Sequence, residues 1–504
     1  MDIEGAGLPP KKPSRHLHDS DYSWHDGETP SAKKGSLKVA MVCMPASGHM
    51  LPLLHIATEL VKRGHCVTVY TTDFGANEFE KKVHQVGAEI VSLDMKGKTE
   101  QDLKLQAKAE KRTSFLILQE LMSTPLRRSF MTELPDVVVS DFATLAGMDV
   151  AADLGIPLVI NLPGPLALFR EVMGMSDVAT AFSFCGFHFS RTRLTLFSLL
   201  FWANTNKMGT WSMHIRRHVA EGAVVLVQTI WALDQPAPLF PNVVVTGPVL
   251  PPAADLRQKL AEEHPELHQF LQASGPDGVV YVTTGSMAQL EQWQVEDIYH
   301  GLKKTGFHVV WSLKEKQQAL LPVRDDPHFY ISKWTPQAEL LQDGAVRVVI
   351  THCGWGGTLE CMTASKPVVT IPFFGDQPTN ARLLVKAGAG EHIGKSPSGS
   401  KGTQNPYKKG DFTADTVAAA VTKVMTNDSY KKAVGKMMNA SRACGGAEAA
   451  VQQIEWAARY GTGHLKSDAF LATSGTHGWN GLVLGVASMV ACVGLLVYTK
   501  ALKK

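Results

Sequence analysis

The sequence predicts an α/β chain with two doubly wound parallel sheets facing a cleft and one apolar helix at the C-terminal end. Three observations predict it. At 504 residues the chain exceeds what a single hydrophobic core ordinarily supports. Apolar runs of strand length alternate with helical patterns, and this rhythm occurs twice, on either side of a proline-rich stretch at 246–254. Finally, residues 481–498 form an uncharged run of 18.

Taken in order, residues 1–36 mix Lys11, Lys12, Arg15, Lys33 and Lys34 with six acids and hold no apolar segment. That excludes a secretory signal, the acids argue against a transit peptide, and a disordered tail is expected. A central strand follows at 37–44, then a glycine-containing turn, a helix at 51–62, the stop Arg63-Gly64 and a strand at 66–71. The same βαβ pattern recurs at 136–140, 143–154 and 157–162, with a further strand at 223–228. Such strands read as apolar on both faces, the mark of a parallel sheet covered by helices. These elements make a first domain over 37–245. Within it, the segment 182–202 is rich in Phe, but Arg191 and Arg193 interrupt it. It therefore reads as core or as a lipophilic pocket, with contact at a membrane surface as the alternative.

A linker is expected over 246–275 and a second domain over 276–440. The latter has strands at 279–283, 307–312, 329–331, 347–351 and 367–371, a helix near 293–305 and a polar surface insertion at 396–411. Helices at 441–465 are expected to pack back on the first domain. A transmembrane helix is expected over 479–499. As a helix, the uncharged run is roughly 27 Å long, enough for a hydrocarbon core of roughly 30 Å. Trp479 and Tyr498 border it, and Lys500, Lys503 and Lys504 close it. Gly481 and Gly485 are spaced to pair two such helices into a weak homodimer.

Composition narrows the partners. Hydrophobic residues make up 44% and charged residues 19%, as in ordinary globular proteins, and a net charge of +3 gives no reason to expect nucleic acid. The seven cysteines stand at 43, 66, 185, 353, 361, 444 and 492 with no CxxC and no zinc spacing. Buried thiols in a reducing compartment are expected, Cys43 and Cys66 in buried strands. No GxGxxG follows the first strand, which speaks against a nicotinamide or flavin enzyme.

The chemistry concentrates in VRVVITHCGWGGTLE, residues 346–360. A strand ends at Thr351, a turn holds Gly354, Gly356 and Gly357, and a helix starts near Thr358. A turn of this kind exposes backbone N–H groups at a helix N-terminus, where an anion is favoured, and His352 adds a donor. Glycines also serve tight strand–helix turns, so the turn alone leaves both readings open.

The wider window WTPQAELLQDGAVRVVITHCGWGGTLECMTASKPVVTIPFFGDQ, residues 334–377, resembles the 44-residue donor-site signature of the UDP-glycosyltransferase superfamily. Its family-1 members have two Rossmann-like domains in the GT-B arrangement. The resemblance extends over most of 37–460 and takes in Thr284-Gly285-Ser286, Thr246-Gly247-Pro248 and Gly445-Gly446-Ala447-Glu448. It implies a UDP-sugar site. Trp334 would stack on uracil, Gln337 would reach base or ribose, and Glu360 would accept from the ribose hydroxyls. Ser286 and His352 would hold the phosphates beside the turn residues Gly354, Trp355, Gly356, Gly357 and Thr358. Asp376 and Gln377 would bond sugar hydroxyls. The chain departs from the pattern at Gly356, where the family usually carries Asn or Ser. Plant members carry Ser at the position of Gly357, whereas animal-type members tolerate Gly there. The missing side chain at 356 removes a phosphate or sugar contact, so donor affinity and choice of donor stay open.

The resemblance also implies a catalytic pair. His49, after the first strand, would be the general base for the acceptor hydroxyl, and Asp141, at the end of strand 136–140, would orient it and stabilise the imidazolium. The plainer alternatives are a surface histidine and a helix cap. The implied activity is inverting transfer of a hexose, glucose favoured, from a UDP-sugar to a small lipophilic acceptor, with no cofactor and no metal. Asp19-Ser20-Asp21 has the Asp-x-Asp pattern that some sugar transferases use for manganese, but it lies in the tail. A membrane-tethered UDP-sugar binding protein with weak or no turnover is the alternative that Gly356 supports. Animal relatives carry a cleaved signal. Without one here, the expectation is a single-pass C-terminal anchor with a cytosolic body, at the endoplasmic reticulum or another organelle surface.

Overall fold

The computed structural model describes residues 35–173, 206–234, 236, 239–251, 253–285, 287–395 and 405–467. Its apolar runs form two sheets, every strand parallel to its neighbours. The first contains β1 (Lys38–Val42), β2 (Cys66–Thr72), β3 (Glu89–Leu93), β4 (Val137–Asp141), β5 (Leu158–Leu162), β6 (Val224–Val227) and β7 (Val243–Val245), in the order β3-β2-β1-β4-β5-β6-β7. The second contains β8 (Val279–Thr283), β9 (His308–Ser312), β10 (Phe329–Ser332), β11 (Val346–Thr351), β12 (Val368–Thr370) and β13 (Gly390–His392), in the order β10-β9-β8-β11-β12-β13.

Both orders reverse direction once, at β1/β4 and at β8/β11. Chains leaving the carboxyl ends of the two strands at such a point diverge to opposite faces of the sheet. The crevice between them is where doubly wound sheets bind ligands. Every strand residue of β4, β5 and β8 is buried, as sheets covered on both faces require.

The Ser47–Lys62 helix begins four residues earlier than the sequence pattern suggests. Gly48, read as part of a turn, falls in the first turn, whose N–H groups need no intrahelical acceptor, while Pro52 sits inside the helix and leaves one intrahelical bond unmade. His49 therefore lies in a helical first turn rather than in a loop. The 246–275 span is more structured than a linker. It holds helices Ala253–Glu263 and Pro265–Ala273, whose Leu260, Leu267 and Leu271 are buried with Val279, Tyr281 and Leu340 in the second domain's core. Leu260 lies on the first of these helices, and Leu267 and Leu271, four residues apart, lie on one face of the second. In 396–411, Tyr407 is buried against Phe373 and Phe412 rather than lying on the surface. Cys43, Cys353 and Cys361 are buried, whereas Cys66, at the start of β2, is exposed.

The Gly446–Tyr460 helix packs on the first sheet: Ala450, Val451, Ile454, Ala457 and Ala458 share a buried cluster with Leu53, Ile56, Val139 and Val224. Glu455 on this helix pairs with His65 at 2.9 Å and with Arg63 at 3.4 Å. The expected tail (apart from 35–36), the aromatic segment 182–202, Ser286, residues 396–404 and the 479–499 span lie outside the described residues. Among the described residues no helix is long and apolar enough to cross a membrane.

Ile454 is fully buried between the last helix and the first sheet. Ile454→Ala should cost about 2–5 kcal/mol of unfolding free energy, read as a fall in denaturant midpoint at unchanged slope. A cost below about 0.5 kcal/mol would show that this helix is not part of the core.

Candidate active site

The first half of the site is built where β1 and β4 separate. Asp141, the last residue of β4, is fully buried. One carboxylate oxygen, Oδ1, lies 2.8 Å from His49 Nδ1. The other, Oδ2, accepts from the Ala143 backbone N–H at 3.1 Å and from the Thr144 hydroxyl at 3.0 Å. Thr144 Oγ1 in turn accepts from the Met44 N–H at 2.8 Å, tying the carboxylate's support to the end of β1. A carboxylate so deep needs partners on both oxygens, and it has them. Phe142 stacks on the His49 ring at 5.6 Å and 17°, and Trp211 meets Phe142 edge-on. Burial would push the His49 imidazole down, but the Asp141 charge and hydrogen bond, with Asp376 adding, outweigh it and hold its pKa above the usual value.

The second half lies where β8 and β11 separate. His352 follows β11, and its ring is gripped between two glycine backbones. A Cβ on Gly285 would stand 2.5 Å from His352 Nε2, and one on Gly354 would stand 2.6 Å from it. Gly285 also has φ +72°, which only glycine adopts cheaply. Burial pushes the His352 imidazole down to about 4, so it is a neutral donor at physiological pH. Its Nδ1 has no partner among the described residues. The Trp355–Thr363 helix starts immediately after, with Gly354 as N-cap and no side chain capping its first turn. Those N–H groups and the helix dipole, roughly half a charge, make an anion site. Thr358 is buried in the next turn, its hydroxyl also without a described partner.

The glycines of this turn differ. Nothing among the described residues lies within 4 Å of a Cβ built on Gly356, whereas one on Gly357 would approach Gln337 Nε2 at 3.3 Å. Trp355 does not point into the turn. Its ring is buried in the second domain's core cluster with Ile230 and Leu233, and its Nε1 donates to the Gln228 carbonyl of the first domain at 2.7 Å. What Trp355 offers an anion is its backbone N–H.

Trp334 is 63% exposed, an open ring face with His264 beside it at 5.8 Å. Behind it, Gln337 is fixed at both ends: the Tyr281 hydroxyl donates to its Oε1 at 3.1 Å, and its Nε2 donates to Glu360. Burial pushes the Glu360 carboxyl up to about 6, against the pull of the Gln337 amide. At the far end, Gln377 Oε1 accepts from the backbone N–H groups of Phe373 and Phe374, so its carbonyl oxygen holds the loop. Asp376 accepts from Asn380 Nδ2 at 2.6 Å, and Asn380 also donates to the Cys353 carbonyl at 2.9 Å. Burial raises the Asp376 pKa, while Asn380 and the charge of His49 lower it. The charges of Asp376, from the second domain, and His49, from the first, are thus near enough to influence each other.

The chain matches the model of the family described as UDP-glucoronosyl and UDP-glucosyl transferase over residues 196–494. The chain belongs to this family. Among its relatives is a cyanidin-3-O-glucoside 2-O-glucuronosyltransferase of Bellis perennis, 28% identical over 304 residues, covering 58% of this chain and 65% of that protein. A UDP-glucuronosyltransferase of Pleuronectes platessa is 30% identical over 227 residues, covering 45% of this chain and 44% of that one. The aligned stretch thus spans less than two thirds of either relative. Among solved structures, Medicago truncatula UGT71G1 complexed with UDP-glucose matches with a TM-score of 0.63 at 21% identity, over 84% of this chain and 98% of that one. At that identity the likeness is one of fold, the GT-B arrangement of two Rossmann-like domains.

The two halves were marked by sequence motifs, but several supporting residues were not. Thr144, Phe142, Tyr281 and Asn380 act by contacts across the fold. Only Asn380 had a local signal, one helical turn after Asp376.

Two outcomes follow for UDP binding, read by calorimetry. Gly354→Ala should weaken UDP at least about tenfold, because its Cβ displaces the His352 ring. Gly356→Ser should leave UDP affinity equal or tighter, since the space is open; the reverse order would contradict this geometry. Affinity should also fall as pH drops through about 6 if Glu360 takes the ribose role the family motif implies, because the protonated carboxyl is the weaker acceptor. Glu360→Gln should abolish that dependence.

Proposed function

We propose that this chain is an inverting UDP-sugar-dependent glycosyltransferase that moves a hexose, glucose favoured, to a hydroxyl of a small lipophilic acceptor. The observation that carries the reading is the 2.8 Å pairing of His49 with buried Asp141, facing the second domain's Asp376 and anion-binding turn. Asp141 occupies His49 Nδ1, so Nε2 is the nitrogen left to take the acceptor proton. The acceptor oxygen bonds to the anomeric carbon as the bond from that carbon to the diphosphate oxygen breaks on the opposite side. The proton goes to His49, and Asp141 stabilises the imidazolium. Charge growing on the leaving UDP is met by the N–H groups after Gly354 and by neutral His352, so the step calls for no metal. Trp334, Gln337 and Glu360 hold the nucleoside, and Asp376 and the Gln377 amide N–H₂ face the sugar. Ser286 is included through the family motif. The Bellis perennis and Pleuronectes platessa relatives are both named for glucuronosyl transfer and the Medicago truncatula structure holds UDP-glucose, which supports a hexose or its uronic acid as the transferred group.

The proposal includes a single-pass C-terminal anchor over 479–499, a cytosolic body at the endoplasmic reticulum or another organelle surface, and weak anchor-mediated pairing. What supports the anchor is the uncharged run of 18 between Trp479 and the terminal lysines. Asn427-Asp428-Ser429 and Asn439-Ala440-Ser441 have the N-glycosylation pattern, and both asparagines are exposed. The cytosolic body predicts no mass loss on glycosidase treatment of protein purified from its own cells, and a glycan on either would contradict it.

A second reading, a membrane-tethered UDP-sugar binder without turnover, draws on Gly356. His49→Ala separates the two. It should lower kcat/KM for transfer by about 10²–10⁴-fold and leave UDP affinity unchanged. If wild type and His49→Ala transfer equally little while both bind UDP, the binder reading stands. For an active wild type, kcat/KM should fall as pH drops through a value above 6.5, because the raised pKa keeps His49 protonated there. Asp141→Asn should move that limb to lower pH.

A further inference from the structure

Outside the cleft, a second group of titratable side chains converges on one point. Asp149 lies on the Leu145–Leu154 helix, and His214 and His218 lie on the Asn206–Ala220 helix packed beside it. A spacing of four puts both imidazoles on one face of their helix. Both aim at a single oxygen: Asp149 Oδ1 lies 2.8 Å from His218 Nε2 and 3.4 Å from His214 Nδ1. All three ligand atoms lie within 4.8 Å of one another. His218 is almost wholly buried, and the other two are partly so. The transfer chemistry uses none of them.

We propose that Asp149, His214 and His218 form a divalent transition-metal site, best suited to Zn²⁺, that clamps these two helices together. Imidazole nitrogen and carboxylate oxygen are zinc's ordinary non-sulfur ligands, bound at about 2.0–2.2 Å. Tetrahedral ligands at that radius stand roughly 3.3 Å apart. The two separations from Asp149 bracket that value and the one between the histidines is within 4.8 Å, so side-chain shifts alone would bring the three to a metal. Three protein ligands leave a fourth position for water. The outer partner is in place: Gln119, from the Ser114–Thr132 helix, donates to Asp149's other oxygen, as ligating carboxylates require. The site would tie three helices of the first domain. One of them carries Trp211, the ring behind Phe142 and His49. Its role is therefore to hold that wall of the acceptor side, apart from the transfer step.

The competing account is a plain histidine–carboxylate hydrogen-bond cluster. The test uses the full chain stripped with a chelator, then titrated with Co²⁺ and back-titrated with Zn²⁺, following visible d–d absorption and melting temperature. The site predicts one Co²⁺ per chain with tetrahedral-type absorption, displacement by Zn²⁺, and a rise in melting temperature with metal. His214→Ala and Asp149→Asn should lose the absorption and the rise. Gln119→Leu, which keeps all three ligands, should weaken binding by about 10–100-fold. Melting temperatures in chelator show whether each variant folds, and Gln119→Leu tests the site even if a ligand variant does not. Absence of the absorption in wild type, or its persistence in His214→Ala and Asp149→Asn, would overturn the proposal.

Discussion

The hydrogen bond from the Trp355 indole to the Gln228 carbonyl joins the anion-binding turn to the first domain, and the site depends on it. Gln228 follows β6, and its side-chain amide donates to Asn161 at the end of β5 at 2.7 Å. Asn161 is the register partner of Asp141, and its carbonyl accepts from the Phe142 N–H at 3.0 Å. Phe142 stacks on His49. A continuous series of bonded or packed groups thus runs from the helix N-terminus that would hold a diphosphate to the base that would activate an acceptor. Breaking its first bond would leave a buried carbonyl and a buried indole N–H unpaired, each costing about 1–3 kcal/mol.

Electrostatics divide the cleft between its two walls. The first domain contributes a histidine held basic by a buried carboxylate. The second contributes a histidine kept neutral by burial, with uncapped N–H groups beside it. A neutral donor suits a diphosphate that must be both bound and released, because a full buried positive charge would hold the product as tightly as the substrate. The pKa of Asp376, on the second wall, is raised by burial and lowered by Asn380 on its own side and by the charge of His49 on the other.

Much of this was legible in the sequence. The runs that became β1, β4, β8 and β11 are apolar on both faces, so their centrality followed from composition. Each is followed by the chemistry-bearing residues because doubly wound sheets present ligand sites at carboxyl ends. The direction of the Trp355 ring was not legible, because its partner lies 127 residues away and no local pattern encodes it. The helical start at Ser47 was masked by Gly48, which reads as part of a turn. The helices within 253–273 were hidden by the prolines just before them, although Leu267 and Leu271 already had helical spacing. The Asp149, His214 and His218 cluster joins helices about 65 residues apart, a juxtaposition only the fold creates.

The central claim is that a base from one sheet and a diphosphate site from the other act on one anomeric carbon from opposite sides. The most direct test supplies UDP-hexoses labelled with ¹³C at that carbon, together with a panel of lipophilic alcohols and phenols. Products are read by mass spectrometry and the new linkage by NMR. The account predicts a product one hexose heavier than its acceptor, with the anomeric configuration inverted from that of the donor. Retained configuration would contradict the proposed geometry, and bound UDP with no product from any pair would contradict the transferase reading itself.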